Sequence, residues 1–427
     1  MVNNGLKREF LLLFLLLCIG VTSVNVADGY FIKVYNMEGA EKTNEIVIRN
    51  NREDFGIDSE MEIFFMEYFT LWFDAVSELK EKDISIFFDK SDQSGEISSI
   101  IDQNVLSFLI AMRQYQDNDL RINDYICGVT YQSLEILENG DIKVALKEDN
   151  HCRFAFTPNI DSISTGITHV FVIRKTEDGY SIVYHEKEED SYLLFSPEWD
   201  KQMQKKSDFK QVEVDLLSMK ESFLKQAKID LAQLKIKKEI MQPVVEKKIQ
   251  NLKPYKPEQA VDYAMRWIDP TEVIRNDQWE SYDRYDGNCN NFISQCLNAG
   301  EIPMDFIGNW QWKYFGDDVD NGEWPVGRSS SWTGVEEFYE YAKNNKNKGL
   351  LADTDANPSS GEPGDILQYG INDDWKHSVI IVNVIKDENG KTVDYLINSN
   401  TTDRINYPAS AYAYPNQRLI KILGYGI

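Results

Sequence analysis

The sequence predicts an α+β protein built from several domains. Three observations carry that reading. The chain has 427 residues, more than one ordinary hydrophobic core accommodates. Helical spacing and strand-like alternation occur together in each half. A lysine-rich helical stretch, ended by two prolines, separates the halves. The predicted layout is a signal peptide over 1–27, an N-terminal α+β domain over 28–204, a helical linker over 205–256, and a second domain over 257–427. A net charge of −25 argues against nucleic acid and against simple attraction to anionic lipid.

The elements follow in chain order. MVNNGLKREF is a short basic head, and the apolar run 10–24 comes after it. That run falls short of the roughly 20 residues of a spanning helix and fits the core of a signal peptide, with Val21-Thr22-Ser23 offering small residues for cleavage. An uncleaved membrane anchor is the alternative. Leucines before Cys18 argue against a lipoprotein signal. An exported chain reaches a compartment that permits disulfides.

In the N-terminal domain Met61, Phe64, Phe65, Tyr68, Phe69, Trp72, Phe73, Val76 and Leu79 recur at helical spacing. A second helix is expected from about Ile97 to Gln114, and strand-like segments follow. Asn139-Gly140 signals a two-residue hairpin loop. Carried back along both strands, that register sets Cys127 opposite Cys152, within disulfide reach if no bulge intervenes. His151, His169 and His185 show no motif spacing. Between the domains, Leu217, Leu224, Ala227, Leu231, Leu234 and Met241 suggest a long amphipathic helix. It reads as a spacer or helical hairpin, with an oligomerising coiled coil as the alternative.

The second domain carries the chemistry. Its stretch YDGNCNNFISQCL holds two of the five cysteines. On one helix Cys289 and Cys296 sit about 10 Å apart, beyond the roughly 7 Å limit of a disulfide. Two thiols and His377 do not make a zinc site, and neither a metal nor a cofactor is expected. Cys296, among Phe292, Ile293 and Leu297, reads as core, with Gly300 as the helix stop. Cys289 follows Gly287, which permits a sharp turn, and Asn288, a good N-cap. A first-turn position favours the thiolate. It also aims the backbone N–H of Cys289 at a developing oxyanion. A buried thiol at a helix start is the other reading.

A thiol nucleophile needs a base. His377, at the start of HSVIIV, is the only histidine in this half. An even-numbered loop at Asn389-Gly390 puts Asn400 on the face of His377, where its carbonyl would orient the ring; an odd loop brings up Thr401 or Asp403 instead. Trp310, Trp312, Trp324 and Trp332 would wall a cleft or fill the core.

GNCNNFISQCLNAGEIP, SWTGVEEFY, GEPGDILQY, HSVIIV and YLINSNTTDR, in this order, resemble the family called "Putative amidase domain", found in exported proteins of Gram-positive bacteria. That family is similar to the CHAP and NlpC-type cysteine peptidases. The resemblance implies a papain-like fold over about 257–427, with Cys289 as nucleophile and His377 as base. The third position usually reads histidine, and here it is Asn400. Asp365 and Trp332 match family positions and read as structural. The implied function is hydrolysis of amide bonds, by analogy those of peptidoglycan or a peptide. The rivals are an inactive wall-binding protein of the same fold and a deamidase or acyltransferase. The N-terminal domain resembles a SnoaL-like cone of helices and curved sheet.

Overall fold

The computed structural model describes residues 21–25, 31–35, 44–50, 56–196, 209–240, 251–285, 287–307, 310–316 and 327–427. The apolar run before Val21 lies outside them. Val21–Asn25 (β1) pairs antiparallel with Phe31–Tyr35 (β2). Among the described residues no helix is long and apolar enough to cross a membrane.

The first half sets two helices against a curved sheet. Helix α1 (Ser59–Glu78) starts where Asp58 accepts the Met61 N–H at 2.8 Å. It ends at Leu79, whose φ of 51° stops the helix. The aromatic stripe read from the sequence is its buried face. Helix α2 (Gln93–Gln114) begins earlier than its apolar periodicity suggests, because Asp92 caps it through the Ser94 N–H. Strands β3 (Asn44–Arg49), β4 (Ile122–Ile136), β5 (Ile142–Phe154), β6 (Ser162–Thr176) and β7 (Gly179–Lys187) form the sheet. A buried polar string runs beneath it. Glu148 Oε2 lies 2.9 Å from His169 Nε2, His169 Nδ1 lies 3.0 Å from His185 Nε2, and His185 Nδ1 lies 2.7 Å from Asp102 Oδ2.

The expected Cys127–Cys152 disulfide is not formed. The hairpin turns through Leu137–Asp141 rather than a two-residue loop, and a bulge between Tyr131 and Ser133 shifts the register again. Cys127 therefore faces Asn150, Cys152 faces Tyr125, and both are buried free thiols.

After β7 comes the single turn α3 (Asp190–Leu193), then the long helix α4 (Phe209–Ile240). Helix α4 packs along α2. Its buried side is Val212, Leu216 and Ala227, with Met219, Phe223, Leu224 and Leu231 partly buried. Leu217, from the expected heptad stripe, points to solvent. Met241 lies outside the described residues.

The second half contains α5 (Pro257–Arg266), α6 (Cys289–Ala299), the turn α7 (Ser330–Thr333) and α8 (Val335–Asn344). Its strands are β8 (Gly349–Asp353), β9 (Ile366–Ile371), β10 (Asp374–Lys386), β11 (Thr392–Ser399), β12 (Asp403–Pro408) and β13 (Asn416–Gly426). The sheet is continuous across both halves, in the order β3-β4-β5-β6-β12-β11-β10-β9-β13-β8, with β7 also on β6. The seam pairs Thr165, Ser164 and Ile163 with Asp403, Arg404 and Ile405. Strands β9 to β11 send alternate side chains to two cores. Ile366, Ile380 and Leu396 meet α6, while Tyr369, Val379, Ile381 and Ile397 join the core of the first half.

Candidate functional site

Helix α6 is fixed before its chemistry begins. Phe292, Ile293, Cys296 and Leu297 are buried, at about 1.5–3 kcal/mol for each large apolar side chain. Trp332 Nε1 donates to Asn291 Oδ1 at 2.9 Å, and Trp312 Nε1 donates to Ser294 Oγ at 2.9 Å. Both tryptophans are fully buried structural residues; Trp310 is half exposed, and Trp324 lies outside the described residues. Asp365 is structural as well, accepting the Ile422 and Glu362 N–H groups.

Gly287 has φ 140°, a left-handed conformation that glycine adopts without strain. Asn288 stands at the N-cap, but its side chain caps nothing. Its carbonyl accepts from Asn291 Nδ2 at 2.7 Å and from the Tyr282 N–H at 3.1 Å. The Asn288 N–H donates to Thr401 Oγ1 at 2.6 Å.

Cys289 opens the helix and is buried. The backbone N–H groups of Ser378, Asn290 and Cys289 itself are directed at its sulfur. Ser378 Oγ donates to Asn290 Oδ1 at 2.9 Å. The start of α6 is thus pinned to β10 one residue from His377. The helix start was expected to lower the thiol pKa. Burial instead pushes the Cys289 thiol up to about 11, outweighing the three N–H groups. Burial, with the Arg404 charge second, holds the His377 imidazole down to about 3. Both groups are neutral at pH 7. Among the described residues no hydrogen bond joins the sulfur to the imidazole.

The third position differs from the register expectation. The turn is an odd loop closed by the Asp387 N–H on the Lys391 carbonyl, with Lys386 opposite Thr392; a shift between Ile385 and Lys386 moves the register by one, and a bulge between Ile381 and Asn383 moves it back, setting Ile380 opposite Asn398. The two shifts cancel, and the odd loop sets the parity at the far end of the hairpin. Ser399, which an even loop turns away, now shares the face of His377, and Asn400 takes the opposite one. Asn400 Nδ2 donates to Asp403 Oδ1 at 3.2 Å. It helps line a small cleft beside Asn288 and Phe292, which neither Cys289 nor His377 lines. The group next to the imidazole is Tyr412. Its hydroxyl lies 3.4 Å from His377 Nε2 and 3.1 Å from Ser399 Oγ.

Arg404, opposite Ser399 on β12, completes this face. Its guanidinium lies over Tyr407 at 4.3 Å and over Tyr412 at 4.6 Å. Sequence reasoning missed Tyr412, Ser399 and Arg404. Only the arginine left a signal, as the one cation between Lys391 and Arg418.

Residues 254–423 match the family described as "Putative amidase domain". This amidase domain includes Cys289, His377, Asn400, Arg404 and Tyr412; Glu189 and Asp190 lie outside it. Over 148 residues the chain is 31% identical to the uncharacterized protein YhbB of Bacillus subtilis (strain 168), covering 34% of this chain and 40% of that protein. No solved structure matches the chain. The chain thus spans well under two thirds of the length of the curated relative it matches, and the match to the amidase family lies within residues 254–423.

Proposed function

We propose that the chain is an exported, cysteine-dependent amide hydrolase that acts on the peptide-type amide bonds of peptidoglycan. The observation that carries the reading is the pinning of Cys289 and Asn290 to Ser378, next to His377. In this mechanism His377 takes the Cys289 thiol proton as the sulfur attacks the carbonyl carbon. The N–H groups of Cys289 and Asn290 hold the oxyanion. The C–N bond breaks, His377 protonates the leaving amine, and water hydrolyses the thioester. The ring is oriented by Tyr412, backed by Ser399, in place of Asn400. A helix followed by antiparallel strands supports a papain-like arrangement, and two helices against β4–β7 support a SnoaL-like cone. Export rests on the basic head and apolar run at the start of the sequence, and peptidoglycan on family analogy alone.

Burial of Cys289 and His377 favours the rival reading, a wall-binding protein without turnover. Purified muropeptides separate the two. Products from the intact chain are compared with those from Cys289→Ala, His377→Ala and Cys296→Ala. Loss in the first two, with Cys296→Ala active, is the expected pattern. Identical products from the intact chain and Cys289→Ala remove the hydrolase reading.

A further inference from the structure

Cys289 and His377 are buried, and a segment from the first half of the chain binds Arg404 beside them. Beyond β7 the backbone runs through Glu188 and Glu189 into α3. The Glu188 carbonyl accepts from Thr402 Oγ1 at 3.4 Å. Glu189 Oε1 and Asp190 Oδ2 each accept from Arg404 Nη2 at 3.1 Å. Asp190 also bonds to Tyr414, and its charge acts on Cys289. Tyr192 ties the segment back by donating to the His185 carbonyl at 2.5 Å.

Arg404 is a cation with an unused edge. Its side chain is 4% exposed, and the aromatic ring between it and His377 is Tyr412. One nitrogen, Nη2, serves both carboxylates, while Nε is buried and has no partner among the described residues. A guanidinium grips a carboxylate best through two parallel N–H bonds. A carboxylate arriving along the Nε edge would make a bond that neither Glu189 nor Asp190 makes. A neutral group there would leave a buried cation unpaired once the segment moved away.

Resting on the hydrolase reading above, we propose that Arg404 is the specificity-determining residue of the amidase site. It binds a carboxylate that the substrate carries beside the scissile amide, and Glu189 and Asp190 occupy that position in the resting chain as an internal stand-in. The substrate class is an acidic peptide. Segment and substrate compete for one cation, so recognition and opening of the site are a single event.

The test uses the full chain and four acetylated peptides. They carry glutamate or glutamine beside the amide, each with a free or an amidated C-terminus, so a side-chain carboxylate is distinguished from a terminal one. The variants are Glu189→Gln with Asp190→Asn, Tyr192→Phe, and Arg404→Lys in the Tyr192→Phe background, with folding checked by circular dichroism. Releasing the segment should raise Cys289 alkylation at pH 7.5 at least tenfold and raise turnover of carboxylate-bearing peptides by a similar factor. Arg404→Lys should raise KM for those peptides about tenfold, with kcat changed far less, and should narrow the preference for acidic over neutral peptides by a similar factor. Equal turnover of acidic and neutral peptides by the released variants overturns the proposal. So does Cys289 alkylation as fast in the intact chain as in those variants. If no variant cleaves any peptide while alkylation still responds to release, the failure belongs to the hydrolase reading, and the specificity assigned to Arg404 falls with it.

Discussion

Raising the pH is the most direct perturbation of Cys289. Burial holds its thiol up to about 11, so at pH 7.5 about one molecule in 3,000 carries a thiolate, against about one in ten for an exposed cysteine of pKa about 8.5. Only the thiolate reacts with iodoacetamide. Before any steric protection, Cys289 should therefore alkylate roughly 300-fold more slowly than a free thiol. Its rate should rise about tenfold per pH unit until it levels near pH 11. The shift also has a stability consequence, with its sign fixed by linkage. A raised acid pKa means that the folded chain holds its proton while the unfolded chain releases it. The stabilisation is full below about pH 8.5 and is lost as pH rises through 11, a change of about 3 kcal/mol at about 1.4 kcal/mol per unit. The assay is quenched alkylation at pH 6 to 11, with the Cys289 peptide quantified by mass spectrometry and Cys296 as the buried control. A rate that levels off at or below pH 8 would refute the reasoning, because the helix start and its N–H groups would then outweigh burial.

Three further outcomes follow. Tyr412→Phe should lower turnover about tenfold, the usual scale for a lost orienting hydrogen bond of about 1–1.5 kcal/mol, while Asn400→Ala leaves the pH–rate profile unmoved; the opposite ranking restores Asn400 as the orienting group. Reductant should not change the melting temperature, and thiol counting after denaturation should find Cys127 and Cys152 fully reactive. Burial holds His169 down to about 4, so its contribution is present above about pH 6.5 and is lost as pH falls through 4. Melting temperature should drop across that window, and His169→Gln should flatten the drop.

Much of the site was legible because its local signals are strong. Gly287, Asn288 and the Phe292-Ile293-Cys296-Leu297 face specify where α6 starts and which side it buries. HSVIIV specifies a buried strand. The partner of His377 was not legible, because an odd loop and two register shifts leave no mark in composition yet decide every facing beyond them. The same cause undid the Cys127–Cys152 pairing, where one turn residue and one bulge moved the register. Strand β12 was missed because DRINYP alternates weakly and gains its place from β6 and β11 on either side. The lowered pKa expected for Cys289 failed for an energetic reason. A helix start contributes tenths to about 2 kcal/mol, whereas full burial of an ionisable group shifts its pKa by several units.

The seam between β6 and β12 also governs how the chain can be cut. A fragment trimmed to residues 254–423 loses β6, and β12 becomes a bare edge that offers the main-chain groups of Asp403 to Ile405 to any passing strand. It also sheds Glu189 and Asp190, leaving Arg404 without the carboxylates that neutralise it. Such a fragment would be sticky along one margin, and self-association rather than the chemistry of its thiol would dominate its behaviour in solution.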